Sequence, residues 1–183
     1  GYRCCVVFKV MFHSPRIAPN TGNAIRMVAA TGCELHLVQP LGFSLDDREI
    51  RRAGLDYADL AAVRLHASLQ SCLAALPGAR LYAIETAGTR CYGEAQFRPG
   101  DALLFGPETR SVPRDLPEGM PAHCERVRIP MRPGNRSINL SNSVALVIYE
   151  AWRQNGFSSA TSSCTATSTP STSTDLMSNS GFS

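Results

Sequence analysis

The chain is organised around residues 133–153, which read PGNRSINLSNSVALVIYEAWR. In the second half of this stretch, apolar residues recur with the spacing of one buried helical stripe. These residues are Leu140, Val144, Val147, Ile148 and Ala151. The first half is polar, begins with Pro-Gly and crowds Asn, Ser and Arg before the helix. One Asn or Ser would be enough to cap the helix, so the surplus favours a ligand site over capping alone.

The totals indicate one domain of about 157 residues followed by a tail. The chain has 183 residues, of which 44% are hydrophobic, and it has no apolar run near the ~20 residues that span a bilayer. Its first residues lack the pattern of a signal peptide, which predicts a cytoplasmic protein. Residues 158–183 are rich in Ser and Thr and are predicted to be disordered. Two origins stay open for this tail: a non-native extension or a functional linker.

The charge does not decide whether the protein binds nucleic acid, and the cysteines give no sign of a disulfide framework or a zinc site. The net charge is +3, and Lys9 is the only lysine, so arginine carries nearly all the positive charge. Arginine suits phosphates and stacked bases, but a GC-rich genome gives the same bias. The seven cysteines are scattered and show no CxxC spacing. This pattern predicts reduced thiols and neither a disulfide framework nor a zinc site.

Apolar strand patterns alternate with helical patterns along the chain, which predicts an α/β fold with a parallel sheet covered by helices on both faces. The predicted strands lie near 5–12, 34–39, 63–65, 80–85, 101–105 and 126–131. The predicted helices lie near 20–31, 46–53, 68–76 and 141–155. Gly32 is in the usual place for a residue that ends the first of these helices.

Three loops that follow predicted strands are rich in Gly, Pro and small polar residues. They lie near 86–89, 106–110 and 131–142. Because ligands of parallel sheets gather at the carboxyl ends of the strands, we expect these loops to form the site. Glu108 and Arg110 project from the second loop. Arg26, one turn inside the first helix, is either a solvated surface residue or points back towards the strand ends.

Three motifs together closely resemble the SPOUT tRNA 2′-O-ribose methyltransferases. They are Pro19–Arg26, Leu104–Arg110, and Arg128–Met131 continued through Arg136–Ser143. Further segments resemble the small, single-domain branch, which methylates the wobble nucleotide (cytidine or a modified uridine) of leucine tRNAs. These segments are Leu41–Phe43, Arg51–Tyr57 and Tyr149–Arg153. The resemblance spans about residues 6–157.

The resemblance implies a deep trefoil knot in the carboxyl-terminal third and S-adenosylmethionine as cofactor, with S-adenosylhomocysteine as product. By matching positions, it implies that four residues bind the cofactor, largely through backbone groups. These are Ile84, Gly106, Ile129 and Ser137. The chain departs from the family pattern at Ala18, at Ser111 and at residues 85–88, where Glu-Thr-Ala-Gly replaces a more usual Thr-Thr-Lys-Gly.

The resemblance also implies which residues act on the RNA, without any metal ion. The residues expected at the reaction centre are Arg26, Asn20, Glu108 and Asn139. Substrate-binding residues are expected to be Asn23, Arg110, Arg136 and Tyr149. Because the pKa of an arginine side chain is above 12, we expect Arg26 to orient the ribose and hold a phosphate. The implied partners are the tRNA anticodon arm and a second copy of the chain.

Three other functions stay open from the sequence. The protein could be a non-catalytic RNA- or S-adenosylmethionine-binding protein, or a methyltransferase of the same fold that acts on another RNA position. A flavodoxin-like small-molecule binder is suggested by fold class alone. Equilibrium binding of S-adenosylmethionine against flavin separates the last function from the others.

Overall fold

The computed structural model describes residues 7–46, 48–52, 57–86, 90–114, 120–135 and 137–159. Within these ranges the strands are β1 (Lys9–His13), β2 (Glu34–Val38), β3 (Val63–His66), β4 (Leu81–Glu85), β5 (Arg90–Cys91), β6 (Ala102–Phe105) and β7 (Cys124–Arg128). The helices are α1 (Ala18–Thr31), α2 (Arg48–Arg52), α3 (Tyr57–Ala61), α4 (Leu69–Ala74) and α5 (Leu140–Gln154), with one 3₁₀ turn at Tyr92–Glu94. None of these helices is long and apolar enough to cross a membrane.

The strands form one parallel sheet in the order β3-β2-β1-β6-β4-β7-β5. Successive side chains of a strand point to opposite faces, and the buried residues sort accordingly into two cores. In β1, Val10 and Phe12 enter the core beneath α1 and α5, whereas Met11 enters the core beneath α4. The predicted parallel sheet with helices on both faces is therefore confirmed.

The two long helices begin and end close to the predicted residues. Helix α1 contains Pro19 in its first turn and ends at Gly32, whose φ of 72° is left-handed and whose N–H donates to the Val28 carbonyl. The apolar stripe of α5 is confirmed, because all five of its predicted members are buried. Asn139 caps this helix by accepting hydrogen bonds from the Ser141 and Asn142 amides.

Several element boundaries differ from the prediction. The strand expected at 126–131 lies at Cys124–Arg128, where Pro130 falls beyond it because proline cannot donate to a ladder. Strand β5 and helix α3 were not predicted, since two and five residues leave little periodic signal. The amino-terminal part of the strand expected at 5–12, the expected helix end at Gly54 and residues 87–89 of a predicted loop lie outside the described residues.

The described cysteines are free thiols, as predicted. They are Cys33, Cys72, Cys91 and Cys124. Burial raises the pKa of Cys72 to about 11, so this thiol stays protonated at neutral pH. Cys4, Cys5 and Cys164 lie outside the described residues.

A histidine pair joins β2 to β3. The Nδ1 atom of His36 lies 2.8 Å from Nε2 of His66, and Nε2 of His36 lies 3.0 Å from the Glu34 carboxylate. Burial lowers the pKa of both imidazoles below 6.5. For His36, burial outweighs the effect of Glu34, which raises the pKa, and the nearby His66 and Lys9 lower the pKa further. Because the unfolded chain binds these protons more tightly, the pair contributes stability that is complete above pH 6.5 and is lost as pH falls.

We therefore expect the urea midpoint of unfolding to be lower at pH 5 than at pH 7.5. Replacing both imidazoles by amides, in a His36→Gln, His66→Gln variant, removes the two groups and is expected to reduce this pH dependence. Urea titrations followed by circular dichroism at the two pH values measure it. An equal midpoint shift in wild type and variant would show that other groups cause the acid sensitivity.

Candidate active site

A cavity of about 370 Å³ opens at the carboxyl ends of β4, β6 and β7, beside the first turn of α5. The three loops that the sequence singles out all contribute to its wall. Eight predicted site residues line it: Asn20, Ile84, Gly106, Glu108, Arg110, Ile129, Ser137 and Asn139. The expectation that these loops meet at one edge of the sheet is confirmed.

Glu108 holds the start of α1. Its carboxylate accepts hydrogen bonds from the backbone N–H groups of Arg16 and Ile17, at 2.8 and 3.1 Å. Ile17 is the residue before the helix and has no capping side chain of its own, so a glutamate distant in sequence acts as the cap. A carboxylate suits this position because the amino end of a helix carries partial positive charge.

A relay of side-chain amides continues from Glu108 to α5. The same carboxylate accepts a hydrogen bond from Asn20 Nδ2 at 3.3 Å, and Asn20 Oδ1 accepts one from Asn139 Nδ2 at 3.0 Å. The Asn139 Oδ1 atom then accepts from the Ser141 amide and hydroxyl at 2.9 and 2.6 Å. One buried asparagine, Asn20 at 6% exposure, thus connects the amino ends of both long helices.

Gly106 makes room for the loop that it begins. A Cβ atom at this position would lie 2.8 Å from the Val112 nitrogen and 2.9 Å from the Arg110 carbonyl oxygen. On sequence grounds one would expect a side chain here to collide with adenosine and to leave the fold intact. The expectation of an unaffected fold is wrong, since the loop folds back over Gly106 and its backbone fills the space that a Cβ atom would need. The approach of adenosine to Gly106 stays a prediction.

We expect Gly106→Ala to weaken S-adenosylmethionine binding at least about tenfold and to lower the free energy of unfolding by about 1–3 kcal/mol. Residues 110–112 must move to admit the methyl group, and they form part of the cavity wall. Calorimetry and urea titration measure the two effects. The matched control is Gly93→Ala, where an added Cβ meets no atom closer than 4.0 Å. Normal stability of Gly106→Ala would contradict this account of the loop.

An ion pair that was not predicted from the sequence joins Glu85, which lines the cavity, to β7. Glu85, at the end of β4, is paired with Arg126 of β7, whose Nη2 atom also donates to the Pro113 and Arg114 carbonyls. The glutamate is one of the departures from the family pattern, and here it has a partner. The sequence places Glu85 and Arg126 in two predicted strands, but it does not show that these strands are neighbours in the sheet.

The remaining predicted site residues do not line this cavity. Asn23 and Arg26 are exposed on α1, and Tyr149 is exposed on α5 with its ring 5.7 Å from that of Trp152. Arg136 lies outside the described residues. The roles expected for these four residues stay predictions.

The cavity fits the nucleoside part of S-adenosylmethionine. Its volume is in the range typical of small-molecule sites. Apolar side chains of Ile84, Phe105 and Ile129 offer contact area, while Thr86 and Ser137 offer hydroxyls. Such a lining suits an adenine ring and its ribose.

Comparison with known proteins identifies the family. Residues 7–149 match the family model described as the SpoU rRNA Methylase family. The chain belongs to this family. The resemblance read from the three motifs is thereby confirmed.

Named relatives of this SpoU family member are similar over nearly their whole length. The chain is 49% identical over 155 residues to a tRNA (cytidine(34)-2′-O)-methyltransferase of Methylovorus glucosotrophus, with 84% of this chain and 99% of that protein covered. It is 52% identical over 153 residues to the protein of the same name from a Polaromonas species, covering 82% and 93%. For the Escherichia coli K12 protein of that name the identity is 46% over 154 residues, covering 84% and 98%.

Solved structures agree with the family assignment. A structure described as concerning the 2-OH methylation of C/U34 on tRNA superposes with a TM-score of 0.75 at 42% identity, covering 83% of this chain and 98% of that one. The SpoU methyltransferase AviRb from Streptomyces viridochromogenes, solved with AdoMet, has a TM-score of 0.68 at 23% identity and covers 83% and 62%. At this identity, the similarity to AviRb shows that the two chains share a fold.

Proposed function

We propose that this protein is a tRNA 2′-O-ribose methyltransferase that moves a methyl group from S-adenosylmethionine to the wobble nucleotide of leucine tRNAs, a cytidine or modified uridine at position 34. The observation that carries the proposal is 46–52% identity to relatives named tRNA (cytidine(34)-2′-O)-methyltransferase, over 93–99% of their length. The cavity at the strand ends supports it, because three loops of the chain converge there.

The chain's own residues would align the reactants. When bound, S-adenosylmethionine supplies an activated methyl group on a sulfonium, so the protein has to orient the ribose hydroxyl, remove its proton and exclude water. Ile84, Gly106, Ile129 and Ser137 would hold the cofactor. Asn20 and Asn139 keep the helix ends that frame the cavity in place through their hydrogen bond, and Arg110 at the rim can pair with an RNA phosphate.

We also propose that two copies of the chain complete each site. Arg26 and Asn23 are exposed and lie outside the cavity of their own chain, so a second copy could present them to it. Exposed apolar side chains near α1 and on α5 would be covered in such a dimer: Ile17, Leu146 and Tyr149 are 41–45% exposed. Light scattering is expected to give about twice the chain mass at micromolar concentration, and a monomer mass would contradict the dimer.

Three further features belong to the proposal. The carboxyl-terminal third would form the trefoil knot of the family, consistent with β4 lying between β6 and β7 in the sheet. Residues 1–157 would form the methyltransferase domain in the cytoplasm. Residues 158–183 would be a separate Ser/Thr-rich tail; the described residues end at 159.

Mass spectrometry of total tRNA tests the function. A strain lacking the gene is expected to lose one ribose methyl group from leucine tRNAs at position 34, and the wild-type gene is expected to restore it. Loss of a methyl group at another position would favour the alternative RNA target. Intact methylation together with normal S-adenosylmethionine binding would favour the non-catalytic function.

A further inference from the structure

A second cavity, which we call the 39–45 groove, lies at the carboxyl ends of β2 and β3. Its walls come from residues 39–45, which follow β2, and from Leu65 and Ala67 of β3 and its following turn. The lining is apolar apart from one amide, on Gln39, and one hydroxyl, on Ser44. None of the residues lining this groove carries a charge.

The floor of the 39–45 groove is formed by side chains that pack against the protein core. Leu41, Phe43 and Leu45 are half-buried and pack against the core beneath α1 and α5. Leu65 is 48% exposed. The backbone N–H of Gln39 donates to the His66 carbonyl at 2.9 Å, which fixes the backbone from which the exposed Gln39 side chain projects. The groove therefore places an apolar surface beside a side-chain amide that can both donate and accept hydrogen bonds.

Direct contacts connect this groove to the active-site cavity. The Gly42 amide donates to the Pro15 carbonyl at 2.9 Å, and a Cβ on Gly42 would lie 2.7 Å from the Arg16 Cα atom. The next amide, that of Arg16, donates to Glu108 at 2.8 Å, and Glu108 lines the cavity. The loop after β1 thus links the segment that lines the groove to a residue that lines the cavity, and both sites lie on the same edge of the sheet.

The spacing of the strands limits what can occupy both sites together. The groove lies at β2 and β3 and the cavity is centred near β4, so about three strand spacings, or roughly 15 Å, separate them. The base of the methylated nucleotide is bonded to its own ribose and cannot reach that far. The base of a neighbouring nucleotide can reach the groove. Arg16, which is exposed between the two sites, suits the phosphate that joins the two nucleotides.

We propose that the 39–45 groove binds an unpaired nucleobase of the RNA substrate, from a nucleotide near the methylated one. The inference rests on the proposed function. Sequence-specific RNA recognition uses unstacked bases that lie on apolar or aromatic surfaces and bond to side-chain amides. The neutral lining, the Gln39 amide, the adjacent arginine and the shared loop together match a base on a strand whose ribose enters the cavity.

Affinity for an anticodon stem-loop RNA of a leucine tRNA tests the proposal, using the full chain and fluorescence anisotropy. Leu65→Ser and Gln39→Ala alter exposed groove residues, and Leu60→Ser is the matched control because Leu60 is 37% exposed on α3, outside the groove. We expect Leu65→Ser to raise the RNA Kd about tenfold, because the variant loses the apolar surface that a bound base would cover. S-adenosylmethionine affinity and the Leu60→Ser control are expected to stay unchanged.

A series of stem-loops with one abasic loop nucleotide each identifies the base. At one position other than the methylated one, the abasic change is expected to raise the RNA Kd of wild type about tenfold and to leave the Kd of Leu65→Ser almost unchanged. Equal losses in wild type and variant at every position would overturn the proposal, as would normal RNA binding by both groove variants. A changed mass of Leu65→Ser in light scattering would assign the groove to a second copy instead.

These outcomes separate the groove from the proposed function. If wild type binds the stem-loop without methylating it, the methyltransferase proposal fails while the groove is still judged by Kd. If wild type methylates the stem-loop and the groove variants bind it normally, only the groove proposal fails. If wild type does not bind the stem-loop, the groove proposal is overturned, while the methyltransferase proposal is judged by the mass spectrometry of total tRNA.

Discussion

Arg26→Ala is expected to lower the rate of methyl transfer at least about 100-fold while leaving S-adenosylmethionine affinity nearly unchanged. Arg26 is exposed on α1 and does not line the cavity of its own chain, so its loss removes no wall of the cofactor site. Its expected role is to orient the ribose and hold a phosphate of the RNA at the site of a second copy. Single-turnover transfer of a labelled methyl group and calorimetry measure the two quantities.

The matched control for Arg26 is Arg98→Ala. Arg98 is also exposed, but it precedes β6 and therefore lies at the opposite edge of the sheet from the cavity. Its removal is expected to leave the rate nearly normal. If Arg26→Ala kept near-normal turnover, or lost cofactor binding as severely as turnover, the role given to Arg26 would be wrong.

Glu108→Ala is expected to have a second large effect, of a different kind. The change strips the cap from α1 and leaves the Arg16 and Ile17 amides and Asn20 Nδ2 without their shared acceptor. We expect the free energy of unfolding to fall by about 1–3 kcal/mol, the affinity for S-adenosylmethionine to fall at least about tenfold, and methyl transfer to fall further. Urea titration, calorimetry and the transfer assay measure these losses.

Two variants separate this positioning role from acid–base catalysis. Glu108→Gln keeps one acceptor oxygen and is expected to recover part of the stability, whereas a general base would be abolished as fully by Gln as by Ala. Glu94→Ala is the matched control, because the Glu94 side chain is 68% exposed and only loosely paired with Arg90 at 3.9 Å. Loss of turnover in Glu108→Ala with normal unfolding and normal cofactor affinity would make Glu108 a catalytic base.

Local patterns predicted much of the fold. Gly32 marked the end of α1 because a left-handed residue is needed there, and the stripe from Leu140 to Ala151 identified the buried face of α5. The gathering of three loops followed from a general property of parallel sheets, whose strands all end at one edge. None of these inferences needed contacts between distant parts of the chain.

Strand order and long-range partners could not be predicted, because they depend on such contacts. Strand β6 lies between β1 and β4, and the spacing of the strands along the sequence is compatible with many orders. The role expected for Glu108 at the reaction centre stays a prediction. Its partners Arg16 and Ile17, which lie more than 90 residues away in the chain, could not be predicted. The close approach of residues 110–112 to Gly106 was not predicted, because the sequence alone does not show which backbone folds over a residue.

The position of β6 has a consequence for synthesis of the protein. Both neighbours of β6, β1 and β4, precede it along the chain and can join the sheet's centre only after residue 105 has emerged. Until then the edge of β1 that pairs with β6 has unpaired backbone N–H and C=O groups over Lys9–Phe12, which invites association between growing chains. We expect a nascent chain that stalls before Asp101 to depend on chaperones, and a fragment truncated there to aggregate.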